Sequence, residues 1–264
     1  MEIGIIGLGV VGNAIKKGFE SIGHIVVPHD IILNTKIEDT LQTEVIYICV
    51  GTPSDVNDNC DITSVLDVIQ QLNELNYNGV VVIKSTVIPG TTNKLIDTYC
   101  NLKFAFVPEF LRERCAYEDF VNNHNILVVG TTDDGSYDKI VESHGNLPKN
   151  TVKVSIIEAE LVKYFSNTYK AMKITYANSF HKISKHLGAD YTKIKDTFLL
   201  HGVGDGEYLD VNDEFGGFGG MCLPKDTKAM KVLVKELNLE LGIFEFIELE
   251  NAKFVKKVPT GMRE

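Results

Sequence analysis

The sequence has no paired cysteines, no excess of basic residues and no long apolar run. Its five cysteines are scattered without a CxxC pair, which argues against a disulfide framework and a zinc site and is typical of the reducing cytoplasm. The 26 Lys and Arg face 36 Asp and Glu, and the formal charge of −10 argues against a nucleic-acid or anionic membrane surface. No stretch can span a bilayer, and a strand pattern that begins at Glu2 leads us to expect no signal peptide.

A glycine-rich turn follows the first apolar run of the chain. Residues 3–6 are apolar, Gly7, Gly9 and Gly12 follow at the spacing GxGxxG, and a helical pattern continues from there. In a dinucleotide-binding fold the first glycine permits the turn, the second lets a pyrophosphate approach the backbone, and the third lets helix and strand pack closely. The N–H groups and dipole of the helix N-terminus then favour the phosphates. We therefore predict a dinucleotide site at this turn.

The acidic residue that such a site requires stands at the end of the next strand pattern. Residues 25–28 are followed by His29 and Asp30, and Asp30 lies at roughly the 20-residue spacing expected of a carboxylate that binds the ribose hydroxyls. No arginine follows closely, so a 2′-phosphate would meet a negative charge. NAD is therefore favoured over NADP as the cofactor, although a strand-end aspartate that faces water is the alternative interpretation.

Polar or glycine-rich turns also follow the later apolar strands. Strands are predicted at 44–50, 79–84, 103–107, 126–130 and 151–155, with helices at 62–75 and 136–144. Ligands of open α/β sheets bind at the carboxyl ends of the strands, where these turns stand. A chain of 264 residues with 44% hydrophobic residues can form one large or two smaller domains. We predict the α/β class, with a Rossmann-like doubly wound sheet over residues 1–154.

A long helix is predicted to open the second domain, which covers residues 155–264. Ser155 and Glu158 have the spacing of a capping box, and Gly188 supplies the stop. Between them an apolar stripe recurs every three or four residues: Leu161, Phe165, Tyr169, Met172, Tyr176, Phe180, Ile183 and Leu187. Such a stripe has to be buried against the first domain, a partner subunit, or both. We therefore predict a homodimer built on the helix 156–187.

A glycine-rich segment with one cysteine interrupts the helices of this second domain. Helices are predicted at 191–200, 227–237 and 243–257, so the domain is all-helical. The segment 216–226 holds four glycines before Cys222 and a Pro-Lys-Asp after it, and Lys225 is close enough in sequence to favour the thiolate. A tight turn with a buried, unreactive cysteine is the less favoured alternative. We predict that this loop carries chemistry.

Six short motifs stand along the chain in a fixed order. They are Gly7-x-Gly9-x-Val11-Gly12, Gly51-Thr52-Pro53, Ser85-Thr86-Val87-x-Pro89-Gly90-Thr91, Pro108-Glu109-Phe110-Leu111-Arg112-Glu113, Glu160-x-x-Lys163-x-x-x-Asn167 and Phe218-Gly219-Gly220-x-Cys222-Leu223-Pro224-Lys225-Asp226. Together they resemble the UDP-glucose/GDP-mannose dehydrogenase family over nearly the whole chain. The sequence from Cys222 to Thr227 is more similar to the UDP-glucose and GDP-mannose branches of the family than to the N-acetylmannosamine branch.

The resemblance implies an NAD-dependent enzyme of the UDP-glucose 6-dehydrogenase type that oxidises a nucleotide-sugar CH₂OH to a carboxylate, with UDP-glucose to UDP-glucuronate as the favoured reaction. Cys222 would form a thiohemiacetal and then a thioester. The resemblance implies that Lys163 and Asn167 stabilise the oxyanions. It implies that Thr86 and Asp226 orient the hydrolytic water and that Glu109 is a possible base.

The resemblance also assigns the binding residues. Those implied for the cofactor are Gly7, Gly9, Val10, Val11, Gly12, Asp30, Thr52, Thr86 and Glu113. Those implied for the substrate are Glu109, Phe110, Leu111, Lys163, Asn167, Phe218 and Gly219. No metal site, nucleic acid or membrane partner is expected.

Two departures from the family pattern bear on the substrate. Relatives of full length carry a further C-terminal domain that binds the nucleotide, and we expect this chain to lack it. Many relatives also have an arginine shortly before the glycine loop, whereas residues 201–208 contain none. We expect weak and poorly base-selective nucleotide binding by the chain alone, or a need for a partner protein. A β-hydroxyacid dehydrogenase with a single oxidation step and a non-catalytic NAD-binding protein are the alternatives.

Overall fold

The structure is a computed structural model, described over residues 1–202, 204–211, 213 and 216–254. The chain forms two units. Residues Met1–Pro53 and Cys60–Lys163 make the first, and residues Ser54–Asn59 and Tyr164–Glu264 make the second. Along the chain, the first unit ends at Lys163 and the second continues from Tyr164. The predicted domain boundary between residues 154 and 155 stays a prediction.

The first unit is built on a seven-stranded sheet. The strands are β1 (Glu2–Ile6), β2 (Ile25–His29), β3 (Val45–Ile48), β4 (Val80–Ile83), β5 (Lys103–Phe106), β6 (Leu127–Gly130) and β7 (Thr151–Val154). Their order is β2-β1-β3-β4-β5-β6-β7, and all neighbours are parallel except β5 and β6. The order reverses at β1, as in a doubly wound sheet, so the predicted fold class is confirmed.

Helices cover both faces of this sheet. They are α1 (Val10–Ser21), α2 (Thr63–Glu74), α3 (Thr91–Thr98), α4 (Ala116–Val121) and α5 (Asp134–His144). Successive strand residues point to opposite faces, so Ile46 and Ile48 of β3 belong to one buried cluster, whereas Val45 and Tyr47 belong to the other. The sequence prediction missed α3 and α4, because they are short and follow the strand ends without a long apolar period.

Four helices form most of the second unit: α6 (Ile156–His186), α7 (Tyr191–Leu200), α8 (Leu223–Glu236) and α9 (Ile243–Asn251), and the first turns of α6 belong to the first unit. The predicted capping box is confirmed: the Ser155 N–H donates to Glu158 at 2.7 Å, and the Glu158 N–H donates to the Ser155 hydroxyl at 3.4 Å. Gly188, with φ +69°, lies just after α6 as expected. Within the described residues, no helix is both long and apolar enough to cross a bilayer.

Two helix boundaries of the second unit were predicted wrongly. Helix α8 begins at Leu223 and not at Thr227, because Pro224 lies in its first turn, where proline needs no N–H partner. Helix α9 ends at Asn251, before the predicted end at Lys257, a residue that lies outside the described part of the chain.

The apolar stripe of α6 lies on the surface. Phe165, Tyr176 and Leu187 are 75%, 60% and 74% exposed, and the other five stripe residues are between 36% and 52% exposed. The buried face carries mostly polar and small side chains, among them Asn167 and Ala171, together with the large side chain of Tyr164. Burial of this stripe, against the first domain, a partner subunit or both, therefore stays a prediction.

Three histidines lie in an aromatic cluster of the first unit. The His124 and His144 rings are 5.7 Å apart, and Phe19 contacts both His144 and His24, with ring centroids at 5.2 and 6.2 Å. Burial lowers the pKa of His124 to about 4 and holds the pKa of His144 well below its usual range, and the positive charge of Lys84 adds to both shifts. Both imidazoles are therefore neutral in the folded protein at pH 7.

We expect the free energy of unfolding to fall as the pH drops from 7 to 5. The unfolded state protonates its histidines near pH 6.5, whereas folded His124 stays neutral down to about pH 4, so acid favours the unfolded state. His124 alone should contribute a loss of about 2 kcal/mol at pH 5. Urea unfolding of His124→Phe at both pH values should show a smaller loss than the parent. The exposed His186→Phe control should keep the loss of the parent, and an equal loss in all three proteins would contradict the assignment.

Candidate active site

The glycine turn has the geometry that its spacing predicts. Gly7 has φ +93°, a conformation that other residues avoid, and its N–H donates to the His29 carbonyl at 2.9 Å. A Cβ on Gly12 would lie 1.9 Å from the Gly7 carbonyl oxygen, whereas a Cβ on Gly9 would meet no atom within 4 Å. Val10, which is exposed, and Val11 begin α1 directly after Gly9. The turn therefore leaves the helix N-terminus open to a phosphate group.

The Asp30 carboxylate faces this turn. It accepts hydrogen bonds from the N–H of Leu8 at 2.6 Å and from the N–H of Ile32 at 3.0 Å. The backbone bonds from Ile32 and Leu8 hold the pKa of Asp30 below its usual range, so the side chain is ionised. A ribose at the glycine turn would meet a fixed negative charge, and the residues present fit NAD.

Thr52 and Thr86 follow two neighbouring strands, β3 and β4. Thr52 is buried and Thr86 is half-buried, and the Cys60 thiol donates to the Thr86 carbonyl at 3.4 Å. The Ser85 hydroxyl donates to the Val50 carbonyl at 2.7 Å and so joins the two strand ends. Both threonines therefore lie at the carboxyl edge of the sheet, beside the turn after β1.

Glu109, which follows β5, is held at both its side chain and its backbone. The carboxylate accepts a hydrogen bond from the Leu111 N–H, and its Oε2 atom lies 3.9 Å from the ammonium of Lys84. The Lys163 ammonium, from the second turn of α6, donates to the Glu109 carbonyl and lies 5.9 Å from the centre of the Phe110 ring. Lys163 and Glu109 are 6% and 8% exposed. The structure thus brings together four of the predicted site residues.

An arginine–aspartate pair fixes the rest of this loop. The Arg112 guanidinium donates two hydrogen bonds to Asp119, at 2.6 and 2.9 Å, and the Arg112 N–H donates a third at 2.9 Å. These bonds hold the pKa of Asp119 near 2, so the carboxylate is ionised. Glu113 is exposed in the short 3₁₀ turn that follows.

A buried carboxylate that sequence reasoning left without a role caps helix α3. Glu160, on the first turns of α6, is fully buried and accepts hydrogen bonds from the N–H groups of Gly90 at 2.5 Å and Thr92 at 2.9 Å. Burial raises the pKa of Glu160, and these bonds oppose that rise. The signal was present in the sequence, because Glu160 and the Pro-Gly-Thr turn both belong to the family motifs.

Asn167 and Asp226 meet within the second unit. The Asn167 amide donates to the Asp226 carboxylate at 2.6 Å, and the Lys225 ammonium donates to its other oxygen at 2.6 Å. Asp226 is completely buried, so both of its oxygens are satisfied inside the protein. Lys225 is thus paired with a carboxylate, which weakens the prediction that it favours the thiolate of Cys222.

Cys222 is exposed and immediately precedes α8. Its carbonyl accepts the Asp226 N–H at 2.9 Å, the first hydrogen bond of that helix. A thiol at the N-terminus of a helix lies at the positive end of the helix dipole, which favours the thiolate. The alternative of a buried cysteine is therefore wrong, and the reactivity of the thiol stays a prediction. Gly219 is also exposed, and a Cβ there would meet no atom within 4 Å, so the loop is open at this point.

Two asparagines hold the glycine loop in place. The Asn251 side chain accepts the Phe218 N–H at 2.8 Å and donates to the Phe218 carbonyl at 2.9 Å, and Asn178 accepts the Gly217 N–H at 3.1 Å. The Phe218 ring is buried at 5% exposure. Sequence reasoning missed both asparagines, because an asparagine within a helical pattern carries no signal of its distant partner.

The family models match along most of the chain. Residues 32–146 match the NAD binding domain of the UDP-glucose/GDP-mannose dehydrogenase family, and residues 157–253 match its central domain. The chain belongs to this family. NAD is accordingly its cofactor, in agreement with the prediction.

Individual relatives are nucleotide-sugar dehydrogenases. The chain is 28% identical to GDP-mannose 6-dehydrogenase of Pseudomonas aeruginosa, over 97% of the chain and 70% of the relative. It is 31% identical to UDP-glucose 6-dehydrogenase of Rickettsia bellii, over 86% of the chain but only 54% of the relative. The solved UDP-glucose dehydrogenase of Pyrobaculum islandicum is 27% identical, with a TM-score of 0.86 over 96% of the chain and 68% of that structure. The chain therefore spans about half to two thirds of the length of these family members.

We expect Asp30 to set the preference for NAD over NADP. A 2′-phosphate placed beside the Asp30 carboxylate would be repelled, a contact of like charges that costs on the order of 1 kcal/mol or more. Calorimetric titration should find NAD bound several-fold or more tightly than NADP, and Asp30→Asn should lower the ratio of the two affinities by about fivefold. Asp55→Asn, in the loop after Pro53, is the matched control. Equal affinities of the parent for the two nucleotides would refute the role.

Proposed function

We propose that the protein oxidises the CH₂OH group of a nucleotide sugar to a carboxylate with NAD, and that UDP-glucose, giving UDP-glucuronate, is its substrate. The observation that carries the proposal is the exposed Cys222 at the N-terminus of α8, in one unit with the buried Asn167–Asp226 pair. Membership of the family and the likeness to UDP-glucose and GDP-mannose dehydrogenases support it.

The proposed chemistry passes through a covalent link to Cys222. Two molecules of NAD, bound one after the other, would each supply the acceptor for one hydride. After the first transfer, the Cys222 thiolate attacks the aldehyde carbon, and a C–S bond gives a thiohemiacetal that keeps the reactive aldehyde on the protein. Loss of the second hydride gives a thioester. Water then forms a bond to the carbonyl carbon, the C–S bond breaks, and the carboxylate leaves.

The other polar residues are assigned to stabilise the negative charges and to transfer the protons of these steps. Lys163 and Asn167 are four residues apart on the buried face of α6, and we assign to them the stabilisation of the oxyanions. We assign Thr86 and Asp226 to the orientation of the hydrolytic water and the carboxylate of Glu109 to the acceptance of its proton. We assign Glu113 to the nicotinamide end of the cofactor site, and Phe110, Leu111, Phe218 and Gly219 to the binding of the sugar nucleotide.

Replacing Cys222 by Ser should stop carboxylate formation. A serine hydroxyl is barely ionised, and its alkoxide is a poorer leaving group than a thiolate, so we expect UDP-glucuronate production to fall by at least about 100-fold. NADH absorbance and chromatography of the sugar nucleotide measure both products, and intact mass detects an ester adduct on the variant. Cys100→Ser, at another exposed cysteine, should behave as the parent.

Three results would contradict this mechanism. Undiminished UDP-glucuronate from Cys222→Ser would remove the covalent step. Unchanged single oxidation by Cys222→Ala would indicate a β-hydroxyacid dehydrogenase instead. A parent protein that forms no NADH with any of a panel of UDP and GDP sugars would indicate a non-catalytic NAD-binding protein or one that needs a partner.

We also propose that two chains dimerise through α6. Its exposed stripe includes two ring pairs, Phe165 with Tyr169 and Tyr176 with Phe180, whose centroids lie 6.4 and 4.7 Å apart. Apolar side chains exposed along so long a helix form a contiguous interaction surface, and a second copy of the same stripe is complementary to it.

A charge in the centre of this stripe should prevent the association. Light scattering at micromolar concentration is expected to give the mass of a dimer for the parent and of a monomer for Tyr176→Asp, because burying an unpaired carboxylate is costly. Val56→Asp, at a residue that is 99% exposed in the loop after Pro53, is the matched control and should remain dimeric. A monomeric parent would exclude the proposal.

A further inference from the structure

A buried lysine stands beside the glutamate to which we assign the final proton transfer. Lys84 follows β4, and its backbone N–H donates to the Ile48 carbonyl at 3.0 Å, so the residue extends the ladder between β3 and β4. Its side chain is only 3% exposed. A lysine is almost never buried to this extent unless it is paired, so its position needs a physical explanation.

The carboxylate of Glu109 supplies that explanation. Its Oε2 atom lies 3.9 Å from the Lys84 ammonium, and no other carboxylate of the described residues forms an ion pair with this lysine. Burial lowers the pKa of Lys84, and the charge of Glu109 opposes the shift. The other groups that face Lys84 offer it no negative charge. The Cys49 thiol is neutral because burial raises its pKa to about 12, and Lys163 is a further cation.

The remaining titratable neighbours of Lys84 supply no charge that competes with Glu109. His124 and His144 both have their pKa lowered by burial and by the charge of Lys84, so they are neutral and add no counter-charge. Two cations thus contact Glu109: the Lys84 ammonium lies near its carboxylate, and the Lys163 ammonium donates to its backbone carbonyl. The Glu109 carboxylate therefore has one buried cation within ion-pair distance of its side chain.

We propose that Lys84 is a positioning residue for Glu109: through the buried ion pair, its ammonium holds the Glu109 carboxylate where it accepts a proton from water. The inference rests on the proposed function for its catalytic meaning. When water attacks the thioester, its proton passes to Glu109 and the electron pair of the broken C–S bond leaves with the sulfur of Cys222. Lys84 itself neither contacts the substrate nor transfers a proton.

The direct test does not depend on activity. Glutamate side chains labelled with ¹³C at the carboxyl carbon are titrated by NMR, and the Glu109 signal is identified by its loss in Glu109→Gln. In Lys84→Met, a neutral side chain of similar length, the Glu109 signal should titrate at least about one pH unit higher than in the parent. In Lys84→Arg, which keeps the cation, and in Lys153→Met, at an exposed lysine of β7, it should titrate as in the parent. An unchanged midpoint in Lys84→Met would overturn the proposal.

The kinetic test separates this role from a structural one. In Lys84→Met the acid limb of the kcat profile should move upward by about the same pH interval, with KM for UDP-glucose within about twofold of the parent. The thioester on Cys222 should then accumulate in intact mass spectra at low pH. Loss of NADH formation at every pH, or a rise in KM alone, would contradict the role. If the parent forms no NADH, the proposed function fails while the NMR result still decides the pairing.

Folding of the variants provides a further check. If Lys84→Met does not fold, Glu109→Gln and the double variant Lys84→Met/Glu109→Gln are compared by urea unfolding. The single variant leaves an uncompensated buried cation and should be the less stable of the two, because the double variant removes both charges. A double variant that is no more stable than Glu109→Gln would show that Lys84 and Glu109 are not coupled.

Discussion

Polar groups on the buried face of α6 each require a partner inside the protein, because burial removes the water that would otherwise bind them. Glu160 finds its partners in the first turn of α3, Lys163 in the carbonyl of Glu109, and Asn167 in Asp226. These three contacts connect one helix to the loops after β4 and β5 and to the start of α8. A helix with an apolar inner face would have none of these constraints.

The same constraint explains why the apolar side chains of α6 lie outside. Carboxylate, ammonium and amide groups share the buried face with few large side chains, Ile156 and Tyr164, whereas Phe165, Tyr176 and their neighbours lie on the exposed side. The polar groups therefore lie on the buried face of α6, and the apolar side chains on its exposed face remain available for association with a second chain. The proposed dimer is thus a consequence of where the polar groups are placed, since exposed apolar area of this extent favours association.

Much of the first unit could be predicted, because its signals are local. An apolar run followed by glycines at fixed spacing specifies strand, turn and helix without reference to the rest of the chain, and Gly7, Gly12 and Asp30 have the geometry that this pattern predicts. Helix α3 was missed because it is short, and its cap, Glu160, comes from a segment 68 to 70 residues away and adds no local signal. The register of Lys84 against Glu109 depends likewise on strand order and not on sequence spacing.

The sequence by itself determined the strands, the longer helices, the doubly wound sheet, the glycine turn and the family, because periodicity, glycine spacing and short motifs are properties of neighbouring residues. The tertiary structure decided which face of α6 is buried, since a stripe at helical spacing has the same pattern whether it points to the core or to a partner. It also decided that Lys225 pairs with Asp226, that Asn251 holds Phe218, and that Lys84 lies beside Glu109. Each of these is a pairing of polar groups brought together by folding, and burial makes such pairings obligatory without encoding the partner in the local sequence.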